Sequence, residues 1–330
     1  MKNIFKDISE PQKLRYLHYS KKVGKVAYSI FRYLLLIAIG YIILYPLLYM
    51  IVTSLMSANA YDNSTRAWIP TGFNIVGNYK KAWDALEYGK ALIATIKYPI
   101  ISALLEVASC AVIGYGFARF NFKGKKIFIA ILFLTILIPD MMLIIPRMVN
   151  YTQLDFLGIL GLFNKLTGID LRINLVDTGF TMWIPSLLGI GLKSGILIYI
   201  YIQFFTGLPR ELEEAAWVDG AGPIKTFLKI AVPSSSVVFI TVSVFSLIWH
   251  WNDSMLTSMY IPSALPLADR LAGLPAFISQ KYNLEVGHTS PESASLLMAG
   301  CLMFLAPMLI FYMIVQRGFI ESVDRVGITG

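Results

Sequence analysis

Glu214-Ala215-Ala216-Trp217-Val218-Asp219-Gly220, with Ile230-Ala231-Val232-Pro233 following after nine intervening residues, lies between two long apolar stretches, Met182 to Phe205 and Val237 to Leu256. A polar segment in that position leaves an apolar environment and returns to it. Its residues also specify local structure. Pro209 suits a first helical position, Glu211, Glu213 and Glu214 oppose the positive end of the helix dipole, and Gly220 takes the left-handed conformation that ends a helix. Ala221-Gly222-Pro223 then turns the chain, Ile224 to Ile230 predicts a second short helix with Lys225 and Lys229 on one face, and Pro233 closes the hairpin. The adjacent alanines remove bulk where another surface comes close, so the segment reads as a grip for a second protein.

Outward from this hairpin, composition sets the class. The chain has 330 residues, 56% hydrophobic and 15% charged, with a mean hydropathy of +0.64. These values lie outside the range of a soluble domain and predict a polytopic membrane protein. A bilayer core about 30 Å thick needs roughly 20 apolar residues per helical span. Lipid offers the backbone no hydrogen-bond partners, so the predicted fold class is all-α. Six spans are expected: Tyr33 to Leu55, Pro99 to Phe117, Ile127 to Val149, Met182 to Phe205, Val237 to Leu256 and Leu296 to Val315. Pro139 and Pro146 are expected to kink the third.

Cations near helix ends orient the bundle. Lys13, Arg15, Lys21, Lys22, Lys25 and Arg32 precede the first span, and Arg119, Lys123, Lys125 and Lys126 fill the gap between the second and third. Both flanks read as cytoplasmic, which places both termini and the hairpin inside. Loops Ser57 to Lys90, Asn150 to Thr181 and Ser258 to Ser293 fall outside, with Trp68 and Trp83 suited to the interface. The chain divides into an N-terminal segment 1–32, a first span and external loop 33–91, a main transmembrane unit 92–316 carrying the hairpin 208–233, and a cytoplasmic tail 317–330. Met1 to Lys25 lacks the apolar core of a cleavable signal, and both an interfacial and a disordered state are open for it.

Other function classes find little support. The net charge of +8 clusters beside spans, where anionic headgroups account for it, and no basic stripe interleaved with aromatics suggests nucleic acid. Cys110 and Cys301 lie in apolar spans as packing residues, and His18, His250 and His288 are too scattered for a metal. Asn63-Ser64-Thr65 has the form of a glycosylation acceptor, a three-residue match of low specificity. Gly124-Lys125 fails the spacing of a phosphate-cradling loop, and no catalytic constellation can be assembled. The chain is therefore expected to be neither an ATPase nor any other enzyme.

The full pattern, Glu-Ala-Ala, three residues, Gly, nine residues, Ile, one residue and an aliphatic-Pro pair, resembles the signature of permease subunits of bacterial ATP-binding-cassette importers. Trp183-Ile184-Pro185-Ser186-Leu187-Leu188-Gly189, Trp251-Asn252-Asp253, Gly116-Phe117-Ala118-Arg119-Phe120 and Gln316-Arg317-Gly318-Phe319 are similar to the carbohydrate-importing, maltose-type branch. The likeness covers roughly Leu92 to Gly330, with a weaker echo at Trp68-Ile69-Pro70 and Asn78-Tyr79. Asp324 and Arg325 depart from the family's small-residue ending, which puts the tail's role in doubt.

That resemblance implies a six-helix type I importer fold in the bacterial plasma membrane. It implies a second related permease, two cytoplasmic ATPases that hold the ATP and Mg, an extracytoplasmic solute-binding protein, and no cofactor on this chain. Glu214, Ala215, Ala216, Asp219 and Gly220 become the coupling residues. For the cargo pathway the candidates are Glu106, Trp249, Trp251, Asn252 and Asp253, because aromatic faces suit sugar C–H surfaces and carboxylates or amides suit hydroxyls. Packing and inter-helix pairing explain the same residues equally well. Glu106, Asp140 and Lys193 lie within expected spans, where a central charge costs about 2.5–3.5 kcal/mol, so each must face protein or water. A non-sugar solute, a secondary transporter and a cargo-free scaffold remain alternatives, although no repeat relates the two halves of the chain.

Overall fold

The computed structural model describes residues 10–57, 72–155, 158–168, 172–282 and 291–327. Asn63-Ser64-Thr65, Trp68-Ile69-Pro70 and His288 lie outside the described residues. Lys13, Arg15, His18, Lys21 and Lys22 sit on the first helix, and Arg317-Gly318-Phe319, Asp324 and Arg325 on the last, with backbone alone described. Among the described residues the regular structure is helical. Two isolated bridges join Met56 with Phe73 and Leu154 with Ile173.

Helix α1 runs Glu10–Leu55, so the N-terminal segment from Glu10 is helical and continuous with the first span. α2 is Ile75–Leu86 and α3 is Tyr88–Arg119. The turn Ile96–Ile100 of α3 is widened to a π-helix around Pro99, which has no N–H to give the preceding turn. α4 (Lys125–Leu137) and α5 (Asp140–Thr152) follow, then α6 (Ile159–Thr167), α7 (Phe180–Leu187) and α8 (Ser194–Gly207). The hairpin comprises α9 (Glu211–Val218) and α10 (Pro223–Ser234), and leads into α11 (Ser236–Asn252). α12 (Met255–Tyr260), α13 (Leu267–Tyr282) and α14 (Pro291–Gly327) complete the chain.

Three helical stretches, Gly24–Leu55, Tyr88–Arg119 and Glu292–Gln316, are long and apolar enough to cross a bilayer unbroken. They contain the first, second and sixth expected spans. The middle three are corrected. Where Ile127 to Val149 is expected as one kinked span, α4 and α5 meet at 101°. Proline disfavours helical backbone at the residue before it, and Ile138 is extended at φ −77°, ψ 120°. Pro146, by contrast, lies inside α5 without ending it. The fourth span is split, with α7 ending at Leu187 and α8 starting at Ser194. Lys193 adopts φ +58° just before α8, a left-handed backbone unusual for a side chain of its size. At 14 residues α8 rises about 21 Å, short of a full bilayer core. The fifth span stops at Asn252 rather than Leu256, and α10 and α11 meet at 82°. Pro233 sits inside α10, and the break falls two residues later at Ser235.

α3 is the central post, packed most extensively on α8 and also on α7 and α11, while α14 holds α1, α2 and α13. Lipid tails are as apolar as side chains, so contact area in the bilayer depends on how closely backbones approach. Small residues on α3 permit that approach: Ala103 and Ala111 are buried, and a Cβ at Gly114 would lie 2.4 Å from Tyr201 Cβ and 3.3 Å from the Ile198 carbonyl. Gly114→Ala is therefore expected to lower the melting temperature of the detergent-solubilised protein, by an overpacking penalty of about 1–3 kcal/mol. Gly116→Ala, with open space at its Cβ, is the control.

Candidate functional site

The hairpin is anchored on one side and bare on the other. Arg119, the last residue of α3, donates from Nε to Glu213 Oε1 at 2.8 Å and from Nη2 to the Leu208 carbonyl at 2.8 Å. Both side chains of the pair are buried, at 5% and 2% exposure. One guanidinium thus joins the ends of α3 and α8 to the first turn of α9. Aromatic packing continues the anchor, with Phe227 of α10 lying 4.9 Å from the Tyr115 ring and Thr226 and Ala231 buried. Gly220, at φ +79°, closes α9: Ala221 N donates to Ala216 O and Gly220 N to Trp217 O. This pair of bonds forms a Schellman cap, as the glycine predicts.

The opposite face is solvent-exposed. Glu214, Ala215, Asp219 and Gly220 are exposed and Ala216 is half-buried. Beside them Trp217, Val218, Ile224 and Leu228 present apolar side chains, Val218 at 89% exposure. Sequence reasoning grouped Glu213 with its acidic neighbours and missed its inward role, and it did not include Trp217 or Val218 in the grip.

The pathway candidates separate into different environments. Glu106 is fully buried and accepts hydrogen bonds from Ser194 of α8 and from Ser246 of α11, the latter at 2.9 Å. His250 Nδ1 lies 3.6 Å from the same carboxylate. Glu106 is thus a knot between three helices, the inter-helix pairing alternative. Trp251 is also inward, 4% exposed and 5.7 Å from the Phe304 ring in the core between α13 and α14. Asn252 is exposed and donates back to Ile248 O at 2.8 Å. Trp249 stacks on Phe245 at 5.6 Å and carries Lys193 Nζ 4.9 Å above its ring. Asp253 accepts from the backbone N–H groups of Leu256 and Thr257, capping α12, and lines a small cavity with Arg147, His250 and Tyr260.

On α13, outside the spans, Asp269 is pushed up to about 7 by burial and by the charge of Asp253, against a lowering hydrogen bond from Thr257 at 2.8 Å. Thr257 Oγ1 also lies 2.9 Å from the Asp253 carbonyl, and its one proton cannot serve both acceptors. A protonated Asp269 resolves this by donating to Thr257. Because the folded value is raised, this stabilisation is complete below the unfolded carboxylate value of about 4 and is lost as pH rises through about 7. Asp269→Asn, which keeps a donor at all pH, is expected to flatten the dependence of melting temperature on pH between about 4 and 7.

The described residues form a multi-span helical bundle from which a polar hairpin projects, anchored on one face and exposed on the other. The sequence profile of the binding-protein-dependent transport system inner membrane component family matches residues 111–325, and the chain belongs to that family. It is thus a multi-pass permease of the inner membrane, part of a complex with an ATPase, a binding protein and a partner permease. Relatives include the trehalose transport system permease protein SugB of Mycobacterium tuberculosis, 27% identical over 77% of this chain and 81% of that one. The osmoprotective compounds uptake permease protein GgtD of Synechocystis is 26% identical over 75% of this chain and 73% of its own. Among solved structures, a bacterial ABC transporter involved in import of the acidic polysaccharide alginate has a chain with a TM-score of 0.63 at 18% identity, covering 91% of this chain and 98% of that one.

Proposed function

We propose that this chain is one of two permeases forming a carbohydrate pathway across the bacterial plasma membrane, with both termini and the hairpin 208–233 in the cytoplasm. Each permease docks one of two ATPases, which bind the ATP and Mg, and this chain carries no cofactor. The observation that carries the proposal is the two-sided hairpin: Arg119 and Glu213 fix it to the bundle, while Glu214, Ala215, Ala216 and Trp217 face outward. Bound on that face, α9 follows an ATPase as a rigid body and moves the ends of α3 and α8 with it. Carbohydrate cargo is supported by the Trp251-Asn252-Asp253 and Trp183-Ile184-Pro185 motifs and by the trehalose permease relative. The osmoprotectant relative favours a second reading, a small non-sugar solute.

The test is reconstitution of the complete complex in liposomes with its binding protein outside and ATP inside. Labelled trehalose and other disaccharides are expected to accumulate only with hydrolysable ATP and only with the binding protein. Hydrolysis and uptake that ignore sugar but respond to a non-sugar osmolyte would establish the second reading instead.

A further inference from the structure

We propose that Asp140, Arg147 and Lys193 form a cargo-contact site where the two broken crossings meet, selective for a polyhydroxylated solute that carries a carboxylate or phosphate. The inference rests on the carbohydrate-import reading and narrows it to a substrate class. Its starting point is the coincidence of the breaks. The α4–α5 junction supplies Thr135, Ile138 and Asp140, and the α7–α8 junction supplies Gly189, Lys193 and Gly195, to one cavity of about 450 Å³. A neighbouring space of about 370 Å³ shares Thr135, Asp140 and Lys193. Non-helical backbone at membrane depth is tolerated only where protein covers it or water fills the space beside it. Charged side chains at that depth obey the same restriction. Both demands fall on this cavity.

The charges are placed for recognition. Asp140 and Arg147 are seven residues apart on α5 and so share a face, with Leu143 between them on the same cavity wall. Lys193 faces them from the start of α8, its ammonium over the Trp249 ring at 4.9 Å. Among the described residues neither Arg147 nor Lys193 has a carboxylate within ion-pairing distance; Arg147 reaches only the Ile190 carbonyl, at 3.5 Å. In the lining of this cavity two cations stand against one carboxylate, a net positive wall, while Asp253 faces Arg147 from the separate small cavity on its other side. An anionic group fits the cations, hydroxyls fit Asp140 and Thr135, and Ile113, Phe128 and Leu132 supply an apolar wall for the C–H face of a ring. Glu106 is not part of this lining: it lies behind Gly191 and Ser194, its carboxylate accepting from Ser194 and Ser246 within the helix knot.

The experiment uses the assembled complex with Cys110 and Cys301 replaced by alanine and a single probe, Thr135→Cys. Rates of modification are measured with an anionic reagent, 2-sulfonatoethyl methanethiosulfonate, and a cationic one, the 2-trimethylammonioethyl analogue, each normalised to its rate with a free thiol. The anionic reagent is expected to be favoured about tenfold, the size Coulomb's law gives for a partly solvated unit charge at this range. The preference should shrink with added salt and disappear in Lys193→Gln and in Arg147→Gln. Equal rates or a cationic preference overturn the anion selectivity. No reaction with either reagent means that lipid or the partner permease seals the site, and overturns it entirely. If the Thr135→Cys complex does not assemble, Ile136→Cys on the same wall serves as probe. Failure of the carbohydrate reading is separate, because it appears as absent sugar uptake whatever the labelling pattern.

Discussion

Ala216→Asp is expected to leave the protein inserted at normal levels while the ATPase no longer co-purifies and uptake falls at least about 30-fold. Ala216 is half-buried on a helix whose next residues toward solvent, Trp217 and Val218, are exposed. Within the isolated chain a carboxylate there reaches water, so the fold loses only the helix-propensity difference, well under about 1 kcal/mol. Against a docked partner the same carboxylate is stripped of water. An unpaired charge buried in an interface costs about 2–5 kcal/mol, which is a factor of roughly 30 to several thousand in affinity. Ala216→Ser, which adds one oxygen that can rotate to a backbone acceptor, should retain most uptake. Normal transport by Ala216→Asp would remove α9 from the motor interface.

Much of this architecture was legible because its signals are local. A long apolar run, a cation cluster at its end and a glycine that must go left-handed are each read within one helix, and Gly220 adopts the φ of +79° its position requires. What was not legible depends on residues far apart in sequence. Three acids occupy the first turn of α9, and nothing within that turn selects Glu213, because the selecting group, Arg119, lies 94 positions away. Pro139 announced a kink but not its size of 101°, and Ile144 of α5 packs in a cluster with Met182 and Tyr260, residues far away in sequence. The split before α8 had local cues that went unread, Gly189 and Gly191 within the break and the first of them at φ +71°, while Lys193 is not a residue that advertises left-handed backbone. Trp249 and Trp251 were grouped as one candidate surface. Two residues on a helix are about 200° apart, so one meets Lys193 and the other enters the core.

Those distant pairings make the anchor of the hairpin the second place where one substitution has a large effect. Arg119→Ala is expected to lower the melting temperature of the solubilised protein by roughly 10 °C, because it leaves the buried Glu213 carboxylate unpaired at a cost of about 3–5 kcal/mol. It also removes the bond to the Leu208 carbonyl, so α9 loses its tie to α3 and to the end of α8 together. The outward face is untouched, and the ATPase should still bind and hydrolyse ATP. Its motion then no longer reaches the bundle, and uptake per ATP should collapse. Replacing both partners, Arg119→Met with Glu213→Leu, separates the two effects: an apolar pair of similar volume restores stability without the directional tie. If that double variant regains its melting temperature and still transports poorly, the ion pair transmits force. If transport returns with stability, Arg119 and Glu213 only hold the fold, and the stroke passes through the aromatic contact of Phe227 with Tyr115.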